Sequence, residues 1–126
     1  MKCVGVTLLL AAAATAAGCD GYIWMRARVI NSEGQPIKSA SVKMTRLEGD
    51  KSYERTTDLH GCSRLGGSGS PGRSRWTLTV KADGYQPIDT EITGPGNPVM
   101  LFILEPLSAG SVSAYRVVTQ LDGCAA

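Results

Sequence analysis

The chain has 126 residues, with 13 lysines and arginines against 11 aspartates and glutamates and a formal net charge of +2. The charges are scattered and no basic stripe carries interleaved aromatics, which argues against a nucleic-acid partner. One histidine and four cysteines leave no recognisable zinc spacing.

Lys2 opens the chain and is followed by "CVGVTLLLAAAATAAG", an uncharged stretch whose side chains shrink towards its end. A positive start, an apolar middle of about 7–15 residues and a small-residue end are the layout of an export signal. The stretch falls short of the roughly 20 apolar residues of a membrane-spanning helix before Asp20 interrupts it. No polar face recurs in it at helical spacing. Residues 1–18 are therefore expected to be a signal peptide.

The next residues, "AAGC", resemble the lipobox of bacterial lipoproteins, with Ala16 standing where that family most often has leucine. The resemblance implies a diacylglycerol on Cys19, a tether over 19–24, and a bacterial protein held on the cell membrane and facing the periplasm or the exterior. By similarity to enterobacterial lipoproteins, Asp20 favours retention at the inner membrane. Cysteine parity agrees. Cys3 leaves with the signal, so an unmodified Cys19 leaves an odd thiol in an oxidising compartment, whereas a lipidated one leaves Cys62 and Cys124. Two or three acyl chains anchor stably where one does not.

The remainder is enough for one domain with one core. "MRARVI" sets Met25, Ala27 and Val29 against Arg26 and Arg28, the period of a half-buried strand. Val42 and Met44 give a weaker version in "ASVKM". "RLGGSGSPGRSR", residues 64–75, reads as a glycine-rich loop, and "WTLTVKA" then alternates Trp76, Leu78, Val80 and Ala82 with Thr77, Thr79 and Lys81. "IDTEI" repeats the pattern with Ile88, Thr90 and Ile92. "VMLFIL", residues 99–104, is apolar throughout and bracketed by Pro98 and Pro106, which fits a strand covered on both faces. The segments between are turn chemistries. Short strands without a confident amphipathic helix predict an all-β fold, an antiparallel sandwich or barrel.

In order, "ARVINSEGQPIKSASVKM", "TTDLHG" and "WTLTVKADGYQPIDTEI" resemble the carboxypeptidase regulatory-like domain. That family is an Ig-like, transthyretin-like sandwich of about seven strands. Gly34, Pro36, Ile37, Ala40, Thr57, Asp58, Gly61, Ala82, Gly84 and Tyr85 match its pattern. The resemblance implies a sandwich over 25–105, followed by a tail over 106–126 that offers an edge strand. Cys62 stands where the family has a core aromatic, which implies that the core is filled differently there. A disulfide between Cys62 and Cys124 would fasten the tail across that place.

Chemistry is sparse. Asp58, His60 and Ser63 contain the residue types of a triad, but crowding in one turn keeps them from a common reacting atom. No stretch has the dense oxygen ligands of a calcium loop, and the loop at 64–75 lacks the ending of a P-loop. Arg64, Arg73 and Arg75 make that loop a candidate contact for an anionic surface. Transthyretin-like folds include 5-hydroxyisourate hydrolase, but the first strand here lacks that family's histidine, and "YRVV" from Tyr115 lacks its closing Gly-Ser. The expectation is a non-catalytic binding or structural module of the cell envelope, without cofactor or metal, with an envelope protein or glycan as partner. Its alternatives are a small secreted hydrolase using His60 and a component of an envelope assembly, as the transthyretin-fold lipoprotein of type VI secretion systems is.

Overall fold

The computed structural model describes residues 23–48, 51–67 and 74–124. Cys3, Cys19 and Arg73 lie outside these residues, as do the expected signal peptide and the stretch that resembles a lipobox.

Among the described residues there are eight strands and no helix: β1 (Ile23–Asn31), β2 (Ser41–Arg46), β3 (Ser52–Thr56), β4 (Cys62–Gly67), β5 (Ser74–Lys81), β6 (Ile88–Gly94), β7 (Val99–Leu104) and β8 (Ala114–Val117). They form two four-stranded sheets, one ordered β4-β1-β7-β8 and the other β3-β2-β5-β6. Every pairing is antiparallel except that of β1 with β7, where Arg26 lies opposite Val99 and Asn31 opposite Leu104. The sandwich expected from the alternating patterns is present. Among the described residues β1 includes Ile23 and Trp24 ahead of Met25, and part of the segment after Glu105 forms β8.

Alternation places the core. Met25, Ala27 and Val29 from β1 meet Val42 and Met44 from β2, Trp76, Leu78 and Val80 from β5, and Met100, Phe102 and Leu104 from β7, all buried. Each large side chain so buried contributes about 1.5–3 kcal/mol. Trp76 also needs a partner for its indole N–H, which donates to buried Ser74 Oγ at 3.0 Å.

Two segments depart from the expected pattern. Residues 64–67 are strand rather than loop, because β4 pairs with β1 from Cys62 through Gly67. β3, "SYERT", carries one half-buried residue among exposed ones, so it has no apolar period to read; it is held by its ladder with β2. The aromatic missing at position 62 leaves no gap in the core. Cys62 lies opposite Arg28, on the outward face of its sheet, and the residues of β4 that turn inward are Ser63 and Leu65.

The tail explains why β7 is apolar on both faces. Val118 N–H donates to the Val99 carbonyl at 2.9 Å, and Cys124 joins Cys62 through a disulfide with its Cα atoms 5.8 Å apart. Residues 118–124 therefore cross the outward face of the β4-β1-β7-β8 sheet from β7 to β4. Leu101 and Ile103 on that face are only partly exposed. Upstream, the Gln86 amide donates to the carbonyls of Pro106 and Ser111 at 3.3 and 2.9 Å. Ser113 Oγ accepts from Glu105 N–H and donates to the Gln86 carbonyl, so the connection into β8 is held to the start of β6.

Candidate functional site: an arginine-lined cleft between two sheet edges

β3 and β4 are the edges of their sheets and lie on the same side of the sandwich. The turn joining them is built by two side chains. Buried Thr57 donates from its hydroxyl to the Ile37 carbonyl at 2.6 Å and accepts from Ala40 N–H at 2.9 Å, tying the turn to the segment before β2. Asp58 Oδ1 accepts the N–H groups of His60 and Cys62 at 2.8 and 2.9 Å, the side-chain turn that aspartate is suited to. Gly61 closes it with φ +79°, and a Cβ there would come within 2.4 Å of the Val29 carbonyl oxygen.

Against this turn lies a cleft of about 310 Å³. Arg26 from β1 and Arg64 from β4 stand opposite each other in the ladder and leave the same face. Arg55 comes from β3, on the side of its sheet that faces the other. Ser63, Leu121 and the disulfide complete the walls. Like charges directly opposite across a ladder cost stability unless something of opposite charge screens them. The carboxylate at hand is Asp58, whose oxygen already receives the N–H groups of Cys62 and His60. Those two bonds, Cys62 first, hold its pKa below the usual 3.8, with the nearby His60 adding to the effect. Asp58 is thus an ionised turn-former and a poor proton donor near neutral pH.

Ser63 is the other informative wall residue. Its Oγ is buried and has no hydrogen-bond partner, and it lines the cleft. A buried hydroxyl left unpaired costs about 1–3 kcal/mol, which a ligand acceptor in the cleft would recover.

The sequence-predicted candidates divide. The Asp58, His60 and Ser63 set is not assembled as a relay: Asp58 bonds backbone, and Ser63 Oγ bonds nothing. His60 is exposed and stands outside the cleft lining; its carbonyl accepts from Arg28 Nε at 3.1 Å. The anion-contact loop is not one site. Arg64 points from one sheet into the cleft region, whereas Arg75 lies on the other sheet and pairs with Glu91 at 3.2 Å. Arg26 was missed because a charged residue alternating with apolar ones reads as the solvent side of a strand, and Arg55 because β3 has no apolar period to read. Among the described residues no group of three His, Cys, Asp or Glu side chains converges as a metal site, and no helix is long and apolar enough to cross a membrane.

On the opposite side of the sandwich a second opening of about 430 Å³ lies between β6 and β8. Ile92, Met100, Tyr115 and Val117 line it, and the Tyr115 hydroxyl meets Thr90 Oγ1 at 2.9 Å. It carries Glu91 and no cation, so its chemistry differs from that of the arginine cleft.

No family model matches the chain, and no curated protein matches it. Solved structures do. The 5-hydroxyisourate hydrolase of Klebsiella pneumoniae superposes with a TM-score of 0.55 at 13% identity, covering 77% of this chain and 100% of its own. (S)-allantoin synthase gives 0.54 at 14% identity, over 82% of this chain and 45% of that one. The chlorocatechol 1,2-dioxygenase of Pseudomonas putida gives 0.54 at 11% identity, over 68% and 61%. This chain thus spans about three fifths of that dioxygenase and under half of the synthase. At these identities the likeness establishes the fold, which is transthyretin-like. It also corrects the expectation of a non-catalytic module: the sandwich on which that expectation rested spans the whole of a hydrolase and recurs in other enzymes, so this architecture gives no ground for setting catalysis aside.

Proposed function

We propose that this chain is an exported transthyretin-like domain whose cleft between β3 and β4 takes a small anionic molecule. The observation that carries the reading is the convergence of three guanidinium-bearing residues, Arg26, Arg55 and Arg64, on one cleft whose lining holds a single carboxylate, Asp58. Guanidinium groups pair with carboxylate or phosphate oxygens in a bidentate fashion, and the unpaired Ser63 hydroxyl offers a further donor. Calorimetric titration with inorganic phosphate and with small mono- and dicarboxylates, at constant ionic strength, tests the reading. Binding of at least one of them in the millimolar range or tighter, weakened about tenfold by Arg55→Ala, is expected. Equal affinity in the variant would remove the cleft from consideration.

A second reading is favoured by the likeness to 5-hydroxyisourate hydrolase over the whole of that chain: the anion is a substrate and the reaction a hydrolysis. His60 is the chain's one imidazole. Decay of 5-hydroxyisourate and of related small anionic substrates, followed with the protein and with His60→Ala, tests it. A rate lost in the variant while binding persists would support turnover; no rate above buffer would leave the binding reading alone.

Export and attachment through Cys19 belong to the same proposal. They are supported by "AAGC" after an uncharged stretch and by the Cys62–Cys124 disulfide, a bond typical of oxidising compartments. The intact mass of the protein recovered from membranes, with and without Cys19→Ser, tests the attachment: an added diacylglycerol is expected, and its absence would make this a diffusible exported domain.

A further inference from the structure

The outward face of the β4-β1-β7-β8 sheet is chemically one-sided. Arg26 and Arg28 on β1, Arg64 on β4 and Arg116 on β8 all leave it, as their ladder partners require, and no carboxylate does among the described strand residues of that face. The chain as a whole is close to neutral, so this concentration of one sign is local. The tail takes up part of it: Gly123 lies against the Arg28 guanidinium. The tail reaches the Arg26 rung at Val99 and sets Leu121 in the same cleft as Arg26 and Arg64, and the face is open beyond it, at the rung of Trp24 and Gly66.

At that open end stands Trp24, 47% exposed. It lies opposite Gly66, and a Cβ at position 66 would come within 1.8 Å of the indole. The ring therefore lies on the sheet in space that only glycine leaves, beside the Arg26–Arg64 pair. An indole with one wet side, flanked by guanidinium groups, is the arrangement that settles at the headgroup level of a bilayer. Position along the chain adds an independent argument. Cys19 is four residues before Ile23, and four residues span at most about 14 Å. A lipid on Cys19 thus brings the start of β1, and Trp24 with it, to the membrane surface, where anionic lipids attract basic side chains by a factor of about five each.

We infer that the open end of this face, Trp24 with the Arg26–Arg64 pair beside it, docks on an anionic lipid surface and sets the orientation of the domain on the membrane. The inference rests on the reading of Cys19 as the point of attachment. The occupant of the Trp24 end is the bilayer, because the indole contributes an apolar contact that a small phosphate or carboxylate in the neighbouring cleft does not use.

The two tryptophans make the test internal to the protein. Trp76 is fully buried and Trp24 is not, so a quencher held in lipid headgroups reports on Trp24 alone while Trp76 emission reports that the fold is intact. Full-length chain is mixed with vesicles of phosphatidylcholine, with and without phosphatidylglycerol, each carrying a headgroup-level nitroxide lipid, and quenching is read in suspension. Quenching that requires phosphatidylglycerol, falls at least about fivefold with Arg26→Glu or Arg64→Glu, and vanishes with Trp24→Phe is expected. Equal quenching on neutral and anionic vesicles, indifference to the charge reversals, or complete release by inorganic phosphate at constant ionic strength would overturn the inference. A subsequent high-salt wash addresses the attachment separately: protein that quenches before the wash and is lost after it keeps the docking face and removes the lipid on Cys19.

Discussion

Single residues in the turn between β3 and β4 hold a disproportionate share of the local order. Gly61 answers two demands at once, a positive φ and a carbonyl in the space a Cβ would take. Gly61→Ala is expected to cost about 1–3 kcal/mol, read as a fall in the denaturant midpoint with an unchanged slope. Asp58 makes a prediction in pH. Its folded pKa is depressed below 3.8 by the two backbone N–H bonds, so its contribution to stability is present above that value and is lost as pH falls through the lower, folded one. Asp58→Asn keeps an acceptor for the turn but cannot titrate. The stability of the variant is therefore expected to vary less with pH below about 4 than that of the parent, in parallel urea titrations. Neither role needed the structure to be suspected, because the Thr-Asp-x-x-Gly order already marks a side-chain turn. Ser63 is different: that its hydroxyl is buried and unpaired follows from an inward-turning position in β4, a strand that a run of glycines and arginines conceals.

At the scale of elements, the tail is the segment whose role changes most. A run of residues that alternates poorly supplies an edge strand, β8, then crosses the outward face and is fastened to the opposite edge of the same sheet by Cys62–Cys124. Cross-linking a loop of 62 residues contributes about 4 kcal/mol in the chain-entropy model. Reduction, or the pair Cys62→Ser and Cys124→Ser, is expected to lower stability by about that amount and to expose Leu101 and Ile103. Denaturant midpoints with and without reductant check the first, and hydrogen exchange in β7 the second. Strands with one buried face were legible in the sequence, as the alternation around Trp76 and around Met25 shows. β3 and β4 were not, because edge strands bury little and their backbone ladders leave no trace in hydropathy.

For the whole molecule, the strand orders put β1 and β7 at the centre of one sheet and β2 and β5 at the centre of the other. Amides there are expected to exchange last, and those of β3 and β8 first, in native-state hydrogen exchange; uniform protection would show that the tail and its disulfide stiffen the edges to the level of the core. The same arrangement explains why the cleft was hidden from sequence reasoning. Arg26, Arg55, Arg64 and Leu121 belong to β1, β3, β4 and the tail, and they become neighbours only when two sheet edges and the strap meet. The fold could be inferred from local periods, whereas the site depends on contacts between distant segments.

The parallel pairing of β1 with β7 also bears on how the molecule comes into being. Arg26 finds one ladder partner at Arg64 and the other at Val99, so the first strand to emerge during synthesis has no completed place until nearly the last one has followed. No N-terminal half can close on its own, and such long-range pairing is slow. A nascent chain of this topology stays open while it is being made, which is the condition that the proposed export through a narrow channel would require.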